Sequence, residues 1–390
     1  MFSCKKNSYL QLLNGNVKPE LLNRCVDKAR NLTRHDPHDA LPPLQRLCSH
    51  QPILVPEKID FTRRKCGYGR IALSQLSDDL ISYDPEIVMK AVSTLADMVF
   101  NPELTAQIIA MRIPQRMAHL LDKGNNLLTE SICGTYTKLA STPDGKLALV
   151  KNMLILENLK RILQKEEDPN ILRRLGKCLE RISMSYTTAD ELVDQGFIEA
   201  IMKMVAKQND HIVVLLLSTL RNLLYGNGKY IAMETGAFST MIALTERLDH
   251  KVTICALNCL MVMTSTPLGK RMALDCDLLQ TLTDILCLSE NPELDAAITS
   301  VLMFCTVRSE AKYQASKIRR LVPRLMRLCR NPLQYTVQMF SLATLLNLSV
   351  HWDIKALLLK KYASPLKRIK CATSMISHTR DNLLQRLDEP

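Results

Sequence analysis

The chain has 390 residues and a formal net charge of +12, with 47% hydrophobic residues, 5% aromatic residues and only 12 glycines. This aliphatic, glycine-poor composition favours packed helices over sheet. The thirteen cysteines stand singly without a Cys-x-x-Cys pair, so no disulfide framework is expected. No apolar run approaches the length of a bilayer-spanning helix. The N-terminal residues do not lead into the apolar segment that is typical of a signal peptide. These features predict an intracellular, reduced protein without a membrane segment.

Residues 1–55 are predicted to form a separate N-terminal extension, followed by a leader over 56–70. Pro19 to Leu32 has the apolar spacing of an amphipathic helix, which either caps the first repeat or becomes ordered on binding. The side chains of His35, Asp36, His38 and Asp39 could ligate a metal, but the intervening proline favours a turn and a helix cap. No metal site is predicted here.

Helix-opening signals recur at a fixed period from residue 84 onward. Asp or Asn followed by Pro joins an N-cap side chain to a residue suited to the first helical turn, and the pairs that share one period stand at 84–85, 168–169, 291–292 and 331–332. The separations of 84, 123 and 40 residues equal two, three and one copies of a unit of about 41 residues. The pattern Ser-Thr-Pro-x-Gly-Lys at 141–146 likewise returns at 265–270, three units later.

Each unit has the pattern of a short helix, a second helix and a longer third helix. In the clearest unit, Ala189 to Gln195 is the short helix, Gly196 ends it and Phe197 to Ala206 is the second helix. Asp210 is predicted to cap the third helix, which is apolar on more than one face. Such a helix needs a neighbouring repeat on each side, so the units are predicted to stack.

The third helix of this unit resembles that of an armadillo repeat. The run Leu216 to Leu224 with Asn222, followed by Asn227-Gly228-Lys229, carries the resemblance, and Leu345-Leu346-Asn347-Leu348-Ser349 repeats it. The resemblance implies an all-α, right-handed superhelix of about seven armadillo repeats over 71–363. A basic and then polar tail is predicted over 364–390. A stack of HEAT repeats is the alternative.

A second resemblance lies where the array begins. It is similar to the opening of the armadillo-type radial spoke head protein of motile cilia and flagella, the rhabdoid tumour deletion region family, although Ser74 stands where that pattern leads us to expect proline. The matching positions are Pro56, Lys58, Ile59, Asp60, Thr62, Tyr68, Gly69, Arg70, Ala72, Leu73, Ala91, Leu95, Asp97, Met98, Val99, Asn101, Pro102 and Glu103. The resemblance implies a role in the motile axoneme.

Third helices line the groove of an armadillo superhelix, so equivalent positions on them form a ladder. The predicted rungs are Asp97, Lys138, Arg181, Asn222 and Asn347, with Val262 at the same position of another repeat. Importin-like armadillo proteins have a ladder of Asn with Trp one turn earlier. This chain has a single tryptophan, Trp352, outside the ladder. The mixed rungs predict a groove suited to one partner segment, or else a solvated ladder without a ligand.

The excess charge is concentrated near the C-terminus. Residues 308–370 contain fourteen Lys and Arg but only two acidic residues, whereas residues 1–307 contain 35 basic and 34 acidic residues. Leu321, Leu325 and Leu328 share one helical face, so Arg320, Arg324 and Arg327 are predicted to project outward. The predicted basic patch comprises Arg319, Arg320, Arg324, Arg327, Arg330, Lys360, Lys361, Lys367, Arg368 and Lys370.

This patch is suited to an acidic protein surface or the acidic tails of tubulin. Nucleic acid is a less suitable partner because no interleaved aromatics are present for base stacking. The alternative is a solvated face whose long side chains cover the core.

No arrangement of residues predicts catalysis. Cys255 and Cys259 lie one helical turn apart and could share an ion, but an apolar helix makes them core thiols. The Ser-Thr-Pro-x-Gly-Lys loops lack the spacing of a phosphate-binding loop. We therefore expect no enzyme activity and no cofactor, but a cytoplasmic scaffold of other proteins.

The second resemblance implies a radial spoke component of the axonemal cytoskeleton, needed for spoke assembly and for ciliary or sperm motility. The alternative is an importin-like cargo adaptor, or another armadillo adaptor that binds acidic partners.

Overall fold

The computed structural model describes residues 72–121 and 125–389, and every regular element in these ranges is a helix. The predicted N-terminal extension (1–55) and leader (56–70), including the His35–Asp39 cluster, lie outside the described residues. The helices follow one another in the predicted order of short, second and third helix, and this order repeats along the chain. The all-helical repeat solenoid predicted from the sequence is confirmed.

The third helices form the layer that carries most of the side chains discussed below. We call them, with the helix that follows the last of them, the third-helix layer: α2 (Pro85–Met98), α5 (Asn126–Leu139), α8 (Pro169–Ser183), α11 (Asp210–Leu223), α14 (His250–Thr264), α17 (Pro292–Cys305), α20 (Tyr335–Leu348) and α23 (Ser374–Asp388). Each member packs against the next one along the chain.

The short and second helices complete the units on the other side of this layer. The short helices are α3 (Pro102–Ala110), α6 (Pro143–Val150), α9 (Tyr186–Asp194), α12 (Lys229–Glu234), α15 (Pro267–Asp275), α18 (Ser309–Lys317) and α21 (Trp352–Leu357). The second helices are α1 (Ala72–Asp79), α4 (Ile113–Ala118), α7 (Met153–Lys165), α10 (Phe197–Val205), α13 (Ala237–Leu244), α16 (Leu278–Leu288), α19 (Leu321–Leu328) and α22 (Ala363–Lys367). Single π-helical turns follow α11 at Leu224–Gly228 and α21 at Leu358–Tyr362.

The Asp-Pro and Asn-Pro signals open helices as predicted at three of the four sites. The side chains of Asp84, Asp168 and Asn291 each accept a hydrogen bond from the backbone N–H two residues later, and a proline occupies the first turn. Asn331 accepts from Leu333 N at 3.0 Å, but this closes a turn, and α20 begins only at Tyr335.

The repeated Ser-Thr-Pro-x-Gly-Lys motif is also a helix start. Thr142 and Thr266 cap α6 and α15 by accepting from the N–H of Gly145 and Gly269 at 3.1 and 3.0 Å. A Cβ atom at Gly145 would lie 2.0 Å from the carbonyl oxygen of Leu139, at the end of the preceding helix. The glycine is therefore required by the close approach of two helices, which explains the motif without a phosphate ligand.

The clearest unit differs from its prediction only at the boundaries. Gly196 has a left-handed φ of 71° and separates α9 from α10, as expected for glycine at a helix end. Asn209, not Asp210, caps α11, because its side chain accepts from Ile212 N at 3.2 Å. The interior of α11 is buried against both neighbouring repeats, and Leu220 is fully inaccessible to solvent.

The C-terminal residues extend the stack beyond the predicted limit of 363. α23 covers most of the segment assigned to a tail, and it packs against α20. Ile376, Leu383 and Leu387 are buried on one side of α23, while Thr373 caps its start by accepting from Ile376 N at 3.3 Å. This helix covers the apolar side of the last repeat, which a stack of repeats otherwise leaves exposed.

Candidate functional site

The candidate site is the open surface of the third-helix layer. The predicted rungs lie at equivalent places near the C-terminal ends of their helices. Lys138 on α5 lies 3.6 Å from Asp97 on α2, and its ammonium group donates to the carbonyl oxygen of Ala96 at 2.9 Å. The same ammonium lies over the Phe100 ring, 4.7 Å from its centroid. Two rungs thus bind each other.

The other polar rungs also reach back to the preceding repeat. Arg181 donates to the hydroxyl of Ser141, and Asn222 donates to Ser183 Oγ at 3.1 Å. Asn347 Nδ2 donates to the carbonyl oxygen of Met303 at 2.9 Å. Val262, the apolar rung, is buried. The ladder therefore links successive repeats, a use that the sequence alignment of rungs did not indicate.

A charged pocket of about 530 Å³ opens among α2, α5 and α8, and we call it the basic pocket. Its lining includes Glu130, Gly134, Lys138, Arg174 and Lys177. The Arg174 guanidinium lies 3.3 Å from Glu130, so these charges compensate each other. Within the described residues, a Cβ at Gly134 would meet no atom of another helix within 4 Å, so the pocket is open at this position.

A second pocket, of about 590 Å³, lies further along the layer among α14, α17 and α20. We call it the apolar pocket. Ile254, Met261, Ala296, Tyr335 and Phe340 are among its lining side chains, and Glu293 is the single charged residue in that lining. Tyr335 is 62% exposed, so its ring is available for contact. Neither pocket was predicted, because both depend on which residues of three adjacent repeats face the same gap.

The basic patch is present, with one correction. Arg324 does not project outward: its guanidinium lies 3.3 Å from Asp295 and donates to the carbonyl oxygen of Ser289 at 2.8 Å. The two side chains are only 14% and 6% exposed. Burial raises the pKa of Asp295, with Ser289 and Arg324 opposing the rise. Arg324 turned inward because Asp295, on α17, is a buried acid that needs a partner.

The remaining members of the patch are exposed, and we call these nine residues the basic surface: Arg319, Arg320, Arg327, Arg330, Lys360, Lys361, Lys367, Arg368 and Lys370. The predicted packing face of α19 is confirmed, because Leu321, Leu325 and Leu328 are buried. Arg320 precedes α19 as its N-cap residue and is not part of the helix.

Trp352 lies at the start of α21, outside the third-helix layer, and it is 75% exposed. The centroid of its ring lies 6.3 Å from that of His351, and the ring centroids of His351 and Tyr313 lie 6.2 Å apart. The Lys317 ammonium lies over the Tyr313 ring at 4.1 Å. These residues form an exposed aromatic cluster, but not an Asn and Trp ladder.

The cysteines within the described residues are unpaired thiols. Burial raises the pKa of Cys133 to about 12 and also raises that of Cys259, whose thiol lies 3.5 Å from the carbonyl oxygen of Leu217. Such thiols are poor nucleophiles and poor ligands. Over residues 72–121 and 125–389, no group of three His, Cys, Asp or Glu side chains is placed to hold a metal ion.

Across the described part of the chain, no single helix has both the length and the apolarity to cross a bilayer. Tyr335–Leu348 and Trp352–Lys367 meet those criteria only when taken together, and they are bent by 120° relative to each other.

No protein-family model matches the sequence. Among solved structures, the chain is similar to an engineered protein with a TM-score of 0.72 and 18% identity, over 81% of this chain and 78% of the other. It is also similar to two designed armadillo repeat proteins, with TM-scores of 0.55 and 0.54 and identities of 16% and 15%, over 60% of this chain and 99% of each. The fold is armadillo-like. The first of these two designed proteins was solved in complex with the peptide (KR)4.

Proposed function

We propose that this armadillo-like chain is a non-enzymatic scaffold whose third-helix layer holds an extended segment of a partner protein. The observation that supports it most directly is the pair of pockets, of about 530 and 590 Å³, that open on the same layer. The complex of a designed armadillo repeat protein with a peptide gives the fold a precedent for such binding. The rung side chains fix adjacent repeats to each other, which keeps the binding surface pre-organised.

We further propose that the scaffold is a radial spoke head component of the motile axoneme, needed for spoke assembly and beating. The support is the sequence resemblance between 56 and 103, of which Ala91 to Glu103 lies on α2 and the start of α3. An importin-like adaptor is not favoured, because the sole tryptophan of the chain lies outside the layer and one rung is the buried Val262.

The test is localisation combined with rescue in motile ciliated or flagellated cells. We expect a tagged chain to enter the axoneme, and its loss to impair beating while nuclear import continues. Ala296→Glu, which puts a charge into the apolar pocket, should fail to restore beating. Lys203→Glu, on the exposed side of α10, should restore it. Uniform nuclear enrichment with normal beating after loss of the protein would contradict the axonemal role.

The basic surface gives this scaffold a second proposed contact, with an acidic protein surface such as the tubulin tails. Arg319, Arg320 and Arg327 are exposed and close together in sequence, so their replacement by Glu should weaken microtubule co-sedimentation most strongly at low salt. Lys203→Glu is the matched control. If the triple variant and the wild type bind equally at low and physiological salt, this surface serves only solvation.

A further inference from the structure

The third-helix layer changes character along its length. On α8, Arg174, Lys177 and Arg181 lie at i, i+3 and i+7, so they share one side of the helix, and Lys177 and Arg181 are exposed. On α20, by contrast, there is no Asp, Glu, Lys or Arg over the whole of Tyr335–Leu348. The layer is therefore charged at α8 and free of these charged residues at α20.

The cations of the basic pocket and of the adjoining turn of α8 are not all compensated. Arg174 is compensated by Glu130 at 3.3 Å, and Lys138 is compensated by Asp97 at 3.6 Å. Within the described residues Lys177 has no ion-pair or hydrogen-bond partner, and Arg181 contacts only the neutral hydroxyl of Ser141. Two cations on adjacent turns thus face solvent without a counter-ion, which raises the local concentration of anionic ligands.

A third cation lies on α11, the next helix of the layer. Arg221 is half-buried, its Nη2 lies 3.5 Å from the amide oxygen of Asn222, and its buried Nε has no hydrogen-bond partner within the described residues. Buried guanidinium groups are normally hydrogen-bonded or paired with an acid. An incoming carboxylate would supply a partner for this Nε, which the described residues leave without one.

The apolar pocket requires a different ligand chemistry. Tyr335 and Phe340 present rings, and Ile254, Met261 and Ala296 present aliphatic surface. The one charged residue of its lining, Glu293, is acidic, so this pocket offers no positive charge to an acidic group of the partner. Apolar side chains are favoured here because the removal of apolar surface from water stabilises the complex.

The spacing of the two regions fits one continuous chain. Packed helices lie roughly 8–10 Å apart, so α8 and α17, three steps apart in the layer, are separated by roughly 25–30 Å. An extended chain advances roughly 3.3 Å per residue and therefore crosses this distance in about eight or nine residues.

We infer that the layer recognises an extended partner segment in two parts: an acidic cluster on Lys177 and Arg181 of α8, and an aromatic or aliphatic cluster in the apolar pocket, about eight residues apart. The inference rests on the proposed function, because it defines the partner of the same surface. It also predicts that a basic segment is rejected, since lysine or arginine would meet unpaired cations.

The test uses the full chain and fluorescent peptides in a binding assay at 50 and 300 mM NaCl. The two-part probe has four Glu and Asp residues, eight Gly and Ser residues, and four Phe and Leu residues. We expect it to bind at least tenfold more tightly than either cluster alone, because joining two contacts raises their effective concentration. A probe with a spacer of two residues should lose this gain.

Variants assign each part of the probe to its pocket. Lys177→Glu with Arg181→Glu should weaken the two-part probe about tenfold at 50 mM NaCl and less at 300 mM, because added salt screens the exposed charges. Ala296→Glu should weaken it to a similar degree at both salt concentrations. Lys203→Glu, at an exposed position of the second helix α10 and outside both pocket linings, should stay within twofold of wild type. Circular dichroism confirms that each variant is folded.

Three outcomes would overturn the inference: tighter binding of a peptide of alternating Lys and Arg, tighter binding of a single-stranded oligonucleotide of the same length, or no effect of either pocket variant. These outcomes are separable from failure of the proposed function. If the pocket variants abolish rescue of beating while the two-part probe does not bind, the scaffold function stands and only the partner chemistry is wrong.

Discussion

Arg324→Met should destabilise the fold substantially, although an arginine in an arginine-rich segment ordinarily tolerates substitution. Arg324 and Asp295 are 14% and 6% exposed, and their closest atoms lie 3.3 Å apart. Removal of the guanidinium leaves the Asp295 carboxylate buried without its partner, which costs roughly 3–5 kcal/mol. It also removes the 2.8 Å hydrogen bond to the carbonyl oxygen of Ser289, worth about 1 kcal/mol. Together these losses predict a decrease of about 4–6 kcal/mol in unfolding free energy.

The pH dependence of this loss has a definite sign. Burial already raises the pKa of Asp295 in the folded protein above its ordinary value. Above the ordinary pKa the unfolded chain holds Asp295 ionised, whereas the folded protein must bury that charge or bind a proton, so the carboxyl reduces stability there. Loss of Arg324 raises the folded-state pKa further. The difference between variant and wild type should therefore be largest near pH 7.5 and shrink as the pH falls and Asp295 takes up a proton in the folded protein.

Urea unfolding followed by circular dichroism measures both effects. Arg327→Met, on the same helix but exposed, should change the stability by less than about 0.5 kcal/mol. Adding Asp295→Asn to Arg324→Met should recover about 2 kcal/mol, because no buried charge remains. If Arg324→Met resembles Arg327→Met at pH 7.5, the buried pair does not exist and the side chain projects outward after all.

Other sites give matched tests of the same structure. Gly145→Ala should lower the unfolding free energy by about 1–3 kcal/mol, because its Cβ would meet a backbone oxygen at 2.0 Å. Gly134→Ala, with open space around the new Cβ, should be neutral or stabilising by up to about 1 kcal/mol. Equal urea midpoints for the two variants would contradict the close contact at Gly145. Leu220→Ala, at a fully buried position, should cost about 2–5 kcal/mol, and a change below about 0.5 kcal/mol would mean that the repeat frame is wrong. Iodoacetamide labelling at pH 8, read by mass spectrometry, should modify the exposed Cys276 and spare Cys133, whose thiol pKa is raised by burial to about 12; prompt labelling of Cys133 would show that its repeat opens.

Local signals predicted the repeats well because they act within a few residues. Asp84, Asp168 and Asn291 cap helices through the backbone only two residues away, and Gly196 supplies its left-handed φ by itself. The boundary between Asn209 and Asp210 was missed because both side chains can cap, and the choice depends on the geometry of the turn.

Contacts between residues that are distant in sequence could not be predicted in the same way. Arg324 looked like its neighbours in sequence, but a buried acid 29 residues earlier draws it inward. α23 looked like a polar tail because few of its residues are apolar, yet Ile376, Leu383 and Leu387 meet on one side and pack on α20. The rungs lie at equivalent places on their helices, but their hydrogen bonds to the preceding repeat depend on how the repeats stack and could not be predicted from the sequence.

The difference between rungs and pockets decides where partner selection can reside. A side chain that is bonded to the neighbouring repeat, as Asn222 and Asn347 are, must break that bond before it can bind a ligand, so its contribution to affinity is reduced by the stabilisation it loses. Lys177 and Tyr335 have no such bond within the described residues, and they lie in the two pockets. Substitutions at these two positions should therefore change which partner is bound while leaving folding intact, whereas substitutions at the rungs should change the stability of the stack first.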